Sequence, residues 1–568
     1  MKYDLLIKNG TIVDGTGAPS FAGNVAVSDG KVAAIGEVSG KARDVVDAEG
    51  RLVTPGFVDI HTHLDAQITW DPIASSSCWH GVSSIVMGNC GVTFAPCKPE
   101  DRDYLARLME SVEDVPAKTI SAGMPWTWET YGEYLQSLDN LPKGVNVGGL
   151  VGHCAVRLFA MGEDALKNEP ATPEEIARMR AAVDEAMAGG ALGFSTSRTP
   201  LHLTPDGDAV PGTYASADEL RGICSALGAR GAGVVEAATA AQAGDGEDEV
   251  RANLAREVAW MRQVSTETGR PIVFNLAQTR GMPQGYQWLL DAVSENTGDG
   301  ARLIPQSTTR GIGVLFGFQN RTPFDRAPAW RALRGMPMAE KIARLRDSEY
   351  RVEMVRQSAA DLPPLDFNDV FVLDAERPRY DHEADQSLAA HAARLHTSAP
   401  DAFIELSLAG EGMTMFNYPF LNPEMDAVER MLSNEHVVLG LGDSGAHCGM
   451  IMDASLPTYF LTYWVRERGL FGVEQAIHKL TGEPGALFEL DGRGLLREGA
   501  KADINIIDFD GMRLHGPRFV HDLPAGAGRY VQKAEGYSRM YVNGELFMQD
   551  GEHAGALAGD VLRNRASA

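Results

Sequence analysis

The sequence predicts an α/β protein with a central barrel of eight strand–helix units and a small β-sandwich domain built from both ends of the chain. Through the middle of the 568-residue chain, short apolar runs alternate with helical stretches, as in parallel strands joined by helices. At both ends, apolar and polar residues alternate between Asn-Gly, Asp-Gly and Glu-Gly turns, which is typical of hairpins. A long, partly helical insertion is predicted before the last barrel strand.

The β-domain is predicted from residues 1–54 and 486–568. The first range contains YDLLIKNGTIVDG, NVAVSDGKVAAIG and ARDVVDAEGRLV, and the second contains KADINIIDFDG and YSRMYVNGELFMQDGE. A hairpin on its own is only marginally stable in water, so we expect the two ends to meet in one β-sandwich. The remaining residues, 55–485, then form the barrel domain.

Eight candidate strands follow one another along the barrel domain. Their ranges are 56–63, 82–91, 145–157, 191–198, 231–238, 271–278, 301–311 and 436–447. Helical segments lie between several of them. In the clearest, TPEEIARMRAAVDEAMAGG, Thr172 caps the start, Pro173 occupies the first turn and Gly189 closes the end. Eight such units predict a (β/α)8 barrel of the TIM type.

The seventh and eighth candidate strands are separated by about 125 residues, which is too long for a single connection in a compact domain. We interpret residues 312–435 as an insertion. The stretch MAEKIARLRDSEYRVEMVRQ makes it partly helical, and we expect it to cover the mouth of the barrel as a lid.

Charge and composition narrow the class of protein. The net charge is 51 − 77 = −26, which disfavours nucleic acid and anionic membranes as partners. The N-terminus lacks the pattern of a signal peptide, and no apolar run reaches the ~18 residues of a membrane span. Six scattered cysteines do not suggest a disulfide framework. We therefore expect a cytoplasmic enzyme acting on a small molecule, and a homo-oligomer is compatible with this.

The segment VDIHTHLD is the strongest sign of chemistry. His61 and His63 end an apolar strand, and residues two apart on a strand point to the same face, where two imidazoles can hold one metal ion. Two further donors end other strands: Cys90 in GNCG and Asp443 in GDSGAH. A thiolate binds zinc, and a carboxylate can bind the metal or act as general base toward water. Alternatively, Cys90 is a small buried hydrophobe and Asp443 a turn residue.

Other polar residues also fall where strands end, the face on which barrel enzymes place their active sites. His153 is a candidate for orienting substrate or stabilising an oxyanion, or else a packed barrel histidine. Glu236 is a candidate base or metal ligand, or a salt-bridged carboxylate. The predicted substrate-binding residues are Arg198, Arg157, Ser195, Asn275 and Gln306. Among these, an arginine is suited to clamp a carboxylate, although each arginine can equally be structural.

The motifs GFVDIHTHLD, GNCG, GHCAVR, ALGFSTSR and GDSGAH, in this order, resemble the amidohydrolase superfamily. More narrowly, the chain resembles the N-acyl-D-amino-acid deacylases, especially the N-acyl-D-aspartate/D-glutamate deacylases. The likeness extends to KADINIIDFD and DLPAGAGRYVQKAEGY near the C-terminus. It implies a (β/α)8 barrel with a β-sandwich from both termini and zinc-dependent amide hydrolysis. It places metal-binding residues at His61, His63 and Cys90, and the catalytic aspartate at Asp443.

The chain also departs from that family. Glu236 and Asn275 stand on strands five and six where the family has metal-binding histidines, and FSTSR on strand four lacks the lysine that bridges two metals in many relatives. We therefore expect one zinc ion per chain, held by His61, His63, Cys90 and Asp443, with Glu236 as a further candidate ligand. A second ion is left open.

The predicted reaction is hydrolysis of a linear amide, with an N-acyl-D-amino acid or a similar N-acyl compound as substrate. Zinc activates the water, and Asp443 takes its proton and returns it to the leaving nitrogen. Two alternatives remain at this point. One is hydrolysis of another amide-like bond, such as a cyclic amide, a carbamate or a non-amino-acid amide. The other is a non-catalytic scaffold that has lost the metal.

Overall fold

The computed structural model describes residues 2–360 and 365–567. The chain begins with five strands. They are β1 (Tyr3–Ile12), β2 (Phe21–Ser28), β3 (Lys31–Gly36), β4 (Ala42–Asp47) and β5 (Leu52–Pro55). Of these, β1 is largely buried and β4 is largely exposed. β1 pairs antiparallel with β2 and parallel with β4 and β5, so it lies at the centre of this part of the sheet.

The next seven strands are short and fully or largely buried, because helices cover them on the outside. They are β6 (Phe57–Asp59), β7 (Val82–Met87), β8 (Asn146–Gly152), β9 (Gly193–Ser197), β10 (Val234–Ala238), β11 (Ile272–Asn275) and β12 (Leu303–Ser307). The α-helices between them are α1 (Arg102–Glu113), α2 (Ala117–Gly123), α3 (Tyr131–Asp139), α4 (His153–Met161), α5 (Pro173–Gly189), α6 (Ala217–Arg230), α7 (Glu247–Thr268) and α8 (Gly285–Asn296).

Helix α5 forms as its sequence predicts. Thr172 accepts a hydrogen bond from the Glu175 amide at 3.3 Å, and the Glu175 side chain accepts one from the Thr172 amide at 2.8 Å. This reciprocal pair satisfies two amides that a helix start otherwise leaves unpaired. The helix ends at Gly189, and Gly190 follows in the left-handed conformation with φ 113°. The expectation of a strand over 145–157 was too long, since α4 already begins at His153.

After β12 the chain forms a separate layer of its own. Its strands are β13 (Ile312–Phe316), β14 (Phe371–Leu373) and β15 (Met415–Leu421), and its helices are α9 (Pro328–Arg334), α10 (Met338–Arg346), α11 (Ser348–Ala360), α12 (Leu388–Arg394) and α13 (Ala399–Ala409). Helix α14 (Met425–Leu432) follows and packs its buried residues into the barrel core instead. The strands pair antiparallel in the order β13-β15-β14. Phe324, Trp330, Phe403 and Phe416 pack into an apolar core that is distinct from the core under the barrel helices.

The last barrel strand is β16 (Val438–Leu439), much shorter than the predicted 436–447. It completes an eight-stranded parallel sheet in the order β16-β12-β11-β10-β9-β8-β7-β6. The sheet curls so that its two edge strands approach each other. Beyond the strand ends, Thr62 and Ser444 form a parallel bridge, and the His63 amide donates to the Ser444 carbonyl at 2.8 Å. The predicted α/β fold with eight parallel barrel strands is confirmed at this level.

The rest of the chain returns to the first sheet. The helices are α15 (Leu456–Tyr459), a π-helix at Phe460–Glu467, α16 (Val473–Leu480) and α17 (Gly482–Leu487). The strands are β17 (Ile504–Ile507), β18 (Arg513–Leu514), β19 (Arg518–Val520), β20 (Arg529–Val531), β21 (Ala534–Glu535), β22 (Tyr537–Val542), β23 (Glu545–Gln549) and β24 (Glu552–His553). β17 pairs antiparallel with β5, so strands from both ends of the chain share one nine-stranded sheet.

Within the part of the chain that the structure describes, no helix combines the length and the apolar character needed to span a bilayer.

Candidate metal centre and active site

The two histidines of the HxH motif leave the end of β6 side by side and are almost fully buried. Their ring centroids lie 5.5 Å apart. Both Nε2 atoms face the Asp443 carboxylate: the distance to Asp443 Oδ1 is 3.1 Å from His61 and 4.0 Å from His63. The Asp59 carboxylate accepts a hydrogen bond from the His61 amide at 3.1 Å and so fixes the start of the turn. The end of β6 thus directs two imidazoles toward one point.

Cys90 reaches the same point because the GNCG loop turns tightly after β7. Gly88 and Gly91 have φ angles of +77° and +75°, and Cys90 itself is left-handed at φ 57°. A Cβ on Gly88 would lie 2.3 Å from the Leu150 carbonyl oxygen, and one on Gly91 would lie 2.7 Å from the Ser197 nitrogen. Only glycine fits both the backbone conformation and the space at these two positions.

Two predicted site residues brace this loop from the neighbouring strands. Ser195 donates to the Gly88 carbonyl at 2.5 Å and accepts from the Gly91 amide at 3.1 Å. Glu236 Oε2 accepts from the Cys90 amide at 2.8 Å. These hydrogen bonds hold Cys90 in a conformation that is unfavourable for a residue with a side chain.

Cys90, His61 and His63 together form a donor set for one metal ion. Cys90 Sγ lies 3.5 Å from His61 Nε2, and one donor atom from each of the three side chains lies within 4.8 Å of the other two. Thiolate and imidazole with a nearby carboxylate is a donor set that zinc favours. The predicted grouping of these three residues is therefore present in the structure.

Several buried polar atoms around this point lack a hydrogen-bond partner among the described residues, which is costly unless a ligand satisfies them. They are His63 Nδ1, Glu113 Oε1, Glu236 Oε1, Gln306 Oε1 and Asp443 Oδ1. A cation among the donors would compensate the carboxylates and would fix the two rings. The residues present therefore fit a bound metal ion.

Two side chains lie next to His61 Nδ1, the ring nitrogen that faces away from Asp443. Gln306 Nε2 lies 2.9 Å from His61 Nδ1, and Glu236 Oε1 lies 4.0 Å from the same atom. If His61 Nε2 binds a metal, Nδ1 carries the proton and needs an acceptor. Rotating the Gln306 amide by half a turn supplies one, because its Oε1 is buried and otherwise unpaired. On this geometry Glu236 lies behind the ring, on the side away from Asp443, and its predicted role as a ligand stays a prediction.

The site contains two residues for which the sequence predicted no role, Glu113 and His447. Glu113 is the last residue of α1 and is about 1% exposed. Its Oε1 lies 3.5 Å from His63 Nδ1, and its Oε2 lies 3.7 Å from His447 Nε2. Glu113 lies at a helix end, which carries no strand-end signal, so its place in the site is not predictable from the sequence pattern. His447 is the last residue of GDSGAH, four positions after Asp443.

Charge is concentrated at the cluster. Burial opposes a charged His61 ring, but the carboxylates of Asp443 and Glu236 outweigh burial and raise the pKa of His61 to about 9. Burial also raises the pKa of Glu236 to about 7. The His61 and His63 rings overcome the effect of burial on Asp443 and hold the pKa of its carboxyl well below the ordinary range. When no metal is bound, the additional proton on His61 offsets negative charge of the neighbouring carboxylates. A bound cation would offset the same negative charge.

The remaining predicted residues have partners inside the protein. His153 bonds through one ring nitrogen to Thr196 at 2.9 Å and through the other to Glu219 at 3.0 Å, and Arg157 lies 3.4 Å from the same carboxylate. Asn275 Oδ1 accepts from the Thr239 amide at 2.7 Å. Their predicted catalytic and substrate-binding roles stay predictions, and the geometry shows them supporting strand ends.

Arg198 is paired with a buried carboxylate. Its guanidinium makes two hydrogen bonds to Glu257, at 2.7 and 3.0 Å, and lies 5.5 Å from the Trp260 ring. A cavity of about 970 Å³ adjoins this pair, and His61, His63 and Cys90 do not line it. The cation of Arg198 is therefore already compensated, and its binding of a substrate carboxylate remains untested.

The metal centre is accessible mainly at Asp443 and His447. Their side chains are 17% and 20% exposed, whereas the side chains of His61, His63 and Glu113 are nearly inaccessible. Arg321 lies beside this opening, with its Nη2 atom 3.7 Å from Asp114. Its side chain is 24% exposed and, within the described residues, donates no hydrogen bond. Asn320 Nδ2 donates to the Gly449 carbonyl at 2.7 Å and fixes the same edge.

Comparison with known proteins agrees with this fold. The sequence model described as the amidohydrolase family matches residues 44–546. A D-aminoacylase from Alcaligenes xylosoxydans xylosoxydans is 27% identical over 568 residues, which cover 100% of this chain and 98% of the relative. An N-acyl-D-aspartate deacylase from the same organism is 26% identical over 563 residues, which cover 97% and 93%.

A similar solved structure is that of an N-acyl-D-glutamate deacylase from Bordetella bronchiseptica, complexed with zinc and a phosphonate inhibitor that mimics the tetrahedral intermediate. Its TM-score is 0.66 at 24% identity, and the alignment covers 99% of this chain and 100% of that one. At this level of identity the likeness supports the fold.

Proposed function

Because this chain belongs to the amidohydrolase family, and is thus a hydrolase of carbon–nitrogen bonds other than peptide bonds, we propose that it deacylates an N-acyl-D-amino acid with one bound zinc ion. The resemblance to N-acyl-D-amino-acid deacylases is confirmed by the relatives. The zinc, the base and the substrate are our proposals. The single observation that carries them is the convergence of His61, His63 and Cys90 beside a partly accessible Asp443.

In this proposal His61, His63 and Cys90 hold the zinc, with Asp443 as the fourth candidate donor. A bound zinc ion supplies Lewis acidity toward the amide carbonyl and the attacking water. Asp443 takes the proton of that water and delivers it to the leaving nitrogen, since it is the carboxylate at the opening. The buried walls around the histidines exclude other water, which strengthens these interactions.

The substrate carboxylate needs a cation, and Arg321 is the arginine that we propose for it. Arg198 and Arg310 are each bonded to a buried carboxylate at 2.9 Å or less, whereas Arg321, within the part of the chain that the structure describes, has only Asp114 at 3.7 Å. An uncommitted guanidinium beside the opening is suited to a bidentate carboxylate contact.

We also propose the division of the chain into a β-sandwich domain of residues 1–54 and 486–568 and a barrel domain of residues 55–485. The shared nine-stranded sheet supports the first. The separate apolar core around Trp330 and Phe403 supports a subdomain at about 312–435, for which we propose the role of a lid.

A second candidate function is hydrolysis of a different amide-like bond on the same barrel. The observation that favours it is the use of Glu236 and Asn275 as braces where relatives of the deacylase type are expected to carry metal-binding histidines. A metal ion with a different set of ligands can favour the cleavage of a different amide-like bond.

The test combines metal analysis with a substrate panel. We expect about one zinc per chain in the purified protein and its loss in His61→Ala, because one of three close donors is removed. N-acyl-D-amino acids should be cleaved faster than cyclic amides, carbamates and simple anilides, and Asp443→Ala should lower kcat by roughly 10²–10⁴-fold with zinc retained or partly retained.

Preferential cleavage of a cyclic amide or carbamate would support the second candidate instead. A protein that binds no zinc and cleaves no member of the panel after zinc is added would favour a non-catalytic scaffold.

A further inference from the structure

We infer that Glu113 is a positioning residue that orients two histidines at once, His63 toward the metal and His447 at the opening. This inference deepens the proposed function and rests on it: the His63 half rests on the proposed metal ion, and the His447 half on the proposed hydrolysis.

Glu113 is fixed where it can serve both rings. It ends α1, and the Asp114 amide caps the helix by donating to the Glu110 carbonyl at 3.1 Å. The His447 amide donates to the Glu113 carbonyl, and the Gly449 amide donates to the Asp114 carboxylate at 2.9 Å. The end of α1 and the segment after Asp443 are thus joined by backbone contacts on both sides of the Glu113 side chain.

The contact with His63 determines which nitrogen of that ring faces the metal. His63 Nε2 points toward Asp443, as His61 Nε2 does, and His63 Nδ1 lies 3.5 Å from Glu113 Oε1. Neither His63 Nδ1 nor Glu113 Oε1 has a hydrogen-bond partner within the described residues. A proton on Nδ1 shared with the Glu113 carboxyl group leaves Nε2 free as a metal donor, and an acceptor behind the ring makes that donor stronger.

The two histidines of the HxH motif are therefore supported by different groups. His61 has the neutral amide of Gln306 behind it, and His63 has the carboxylate of Glu113. Glu113 is about 1% exposed, so it cannot itself reach a substrate.

The Glu113 carboxylate also faces His447, which lies at the opening. His447 Nε2 lies 3.7 Å from Glu113 Oε2, while its Nδ1 is buried and has no hydrogen-bond partner within the described residues. The side chain is 20% exposed and the residue is left-handed at φ 50°. Glu113 is thus the carboxylate that faces the His447 ring from the interior, and the ring forms part of the opening.

The experiment measures zinc binding in the full-length protein, for which no substrate is needed. The variants are Glu113→Ala, Glu113→Gln and His447→Gln, and Asp114→Asn is the matched control, because Asp114 is the next residue of the same helix end and faces Arg321. Zinc affinity is measured by competition with a chelating dye. The absorption of the cobalt-substituted protein reports the ligand geometry.

We expect Glu113→Ala to weaken zinc binding by about 10–100-fold, the usual effect of removing a partner of a metal-binding histidine. Glu113→Gln should fall between Ala and wild type, because an amide oxygen accepts the Nδ1 proton without the charge. The cobalt spectrum should change in both. Asp114→Asn and His447→Gln should bind zinc as the wild type does.

Wild-type zinc affinity and an unchanged cobalt spectrum in Glu113→Gln and Glu113→Ala would overturn the inference. If Glu113→Ala fails to fold by circular dichroism, Glu113→Gln alone decides, because it preserves the packing.

The second arm measures kcat/KM on the best substrate. If Glu113 acts through His447, Glu113→Gln should lower kcat/KM less in the His447→Gln background than in the wild type. Equal effects in both backgrounds would contradict the His447 half. A wild type that binds zinc but cleaves no N-acyl-amino acid would refute the proposed function. The zinc affinities of the Glu113 variants would still test the role of Glu113 toward His63.

Discussion

At the scale of single residues, the structure separates arginines that are compensated from one that is available. Arg198, one of the predicted substrate-binding residues, is bonded to Glu257, a residue 59 positions later on a helix, and the sequence offers no sign of that pair. Within the described residues, Arg321 pairs with one carboxylate, Asp114 at 3.7 Å, and its charge acts on His447. The choice between arginines therefore depends on three-dimensional contacts, and the binding of a substrate carboxylate by an arginine stays a prediction.

Arg321→Ala is expected to raise KM for an N-acyl-amino acid by about 10–100-fold, because a charge-assisted hydrogen bond contributes ~1.5–3 kcal/mol. The measurement is steady-state kinetics on the acid and on its carboxamide analogue, which lacks the negative charge. The carboxamide should show little dependence on Arg321. Arg326→Ala, at an exposed position of the same segment, serves as the control and should leave both substrates unchanged. An equal loss on acid and carboxamide would contradict a role in carboxylate binding.

At the scale of structural elements, the GNCG loop shows how a local sequence specifies a metal donor. The two glycines permit a turn that no other residue fits, and Ser195 and Glu236 hold it from strands β9 and β10. Left-handed non-glycine residues occur in turns along the whole chain, for example at Asn9 and Asp550, and also at Cys90, Asp443 and His447. At Cys90 the conformation persists because the surrounding hydrogen bonds determine it.

Gly91→Ala is expected to lower both stability and zinc content. Its Cβ would lie 2.7 Å from the Ser197 nitrogen at φ +75°, so the loop must shift and carry Cys90 with it. Gly50→Ala is the matched control, since Gly50 has φ +80° but nothing within 4 Å of its Cβ. Both variants should lose roughly 1–3 kcal/mol from backbone strain.

Zinc should be lost only in Gly91→Ala. The measurements are thermal unfolding and zinc per chain. Full zinc occupancy in Gly91→Ala would show that the loop tolerates the shift without moving the thiol.

At the scale of the whole molecule, the sequence was informative where chemistry follows strand ends and uninformative elsewhere. The eight parallel strands, and the grouping of His61, His63 and Cys90, followed from apolar runs that end in polar residues. Glu113 comes from a helix end and joins the site only through tertiary packing, so no pattern of period two or 3.6 marks it. The eighth strand was predicted too long because the polar segment after Leu439 belongs to the active-site loop.

One buried histidine joins distant parts of the molecule and predicts a pH dependence of stability. His80 bonds through Nδ1 to Thr458 at 2.8 Å and through Nε2 to the Gln532 carbonyl at 3.1 Å. Burial, helped by the charge of Arg310, lowers its pKa to about 3. In the unfolded chain the ordinary value is ~6.5, so the unfolded state binds the extra proton between these values and stability falls as pH falls through that window.

Between pH 7.5 and pH 5.5 this one group should remove about 1.4 kcal/mol from the free energy of unfolding. His80→Gln is expected to be less stable at neutral pH but to lose about that much less on acidification, as measured by urea unfolding at the two pH values. The exposed His553→Gln is the control and should retain the wild-type pH dependence. An identical loss in wild type and His80→Gln would show that His80 does not carry this dependence.

The pairing of β5 with β17 has a consequence for the order in which the protein folds during synthesis. Their nearest residues, Pro55 and Ile504, are 504 − 55 = 449 positions apart. At ~5–20 residues per second, a ribosome needs roughly 20–90 s to make the chain between them. Throughout that interval the edge of β5 that pairs with β17 has no neighbour, although the opposite edge can pair with β1. Unpaired strand edges promote association between chains. The nascent protein thus depends on chaperone protection, or on slow docking of its early strands, until nearly all of it has been made.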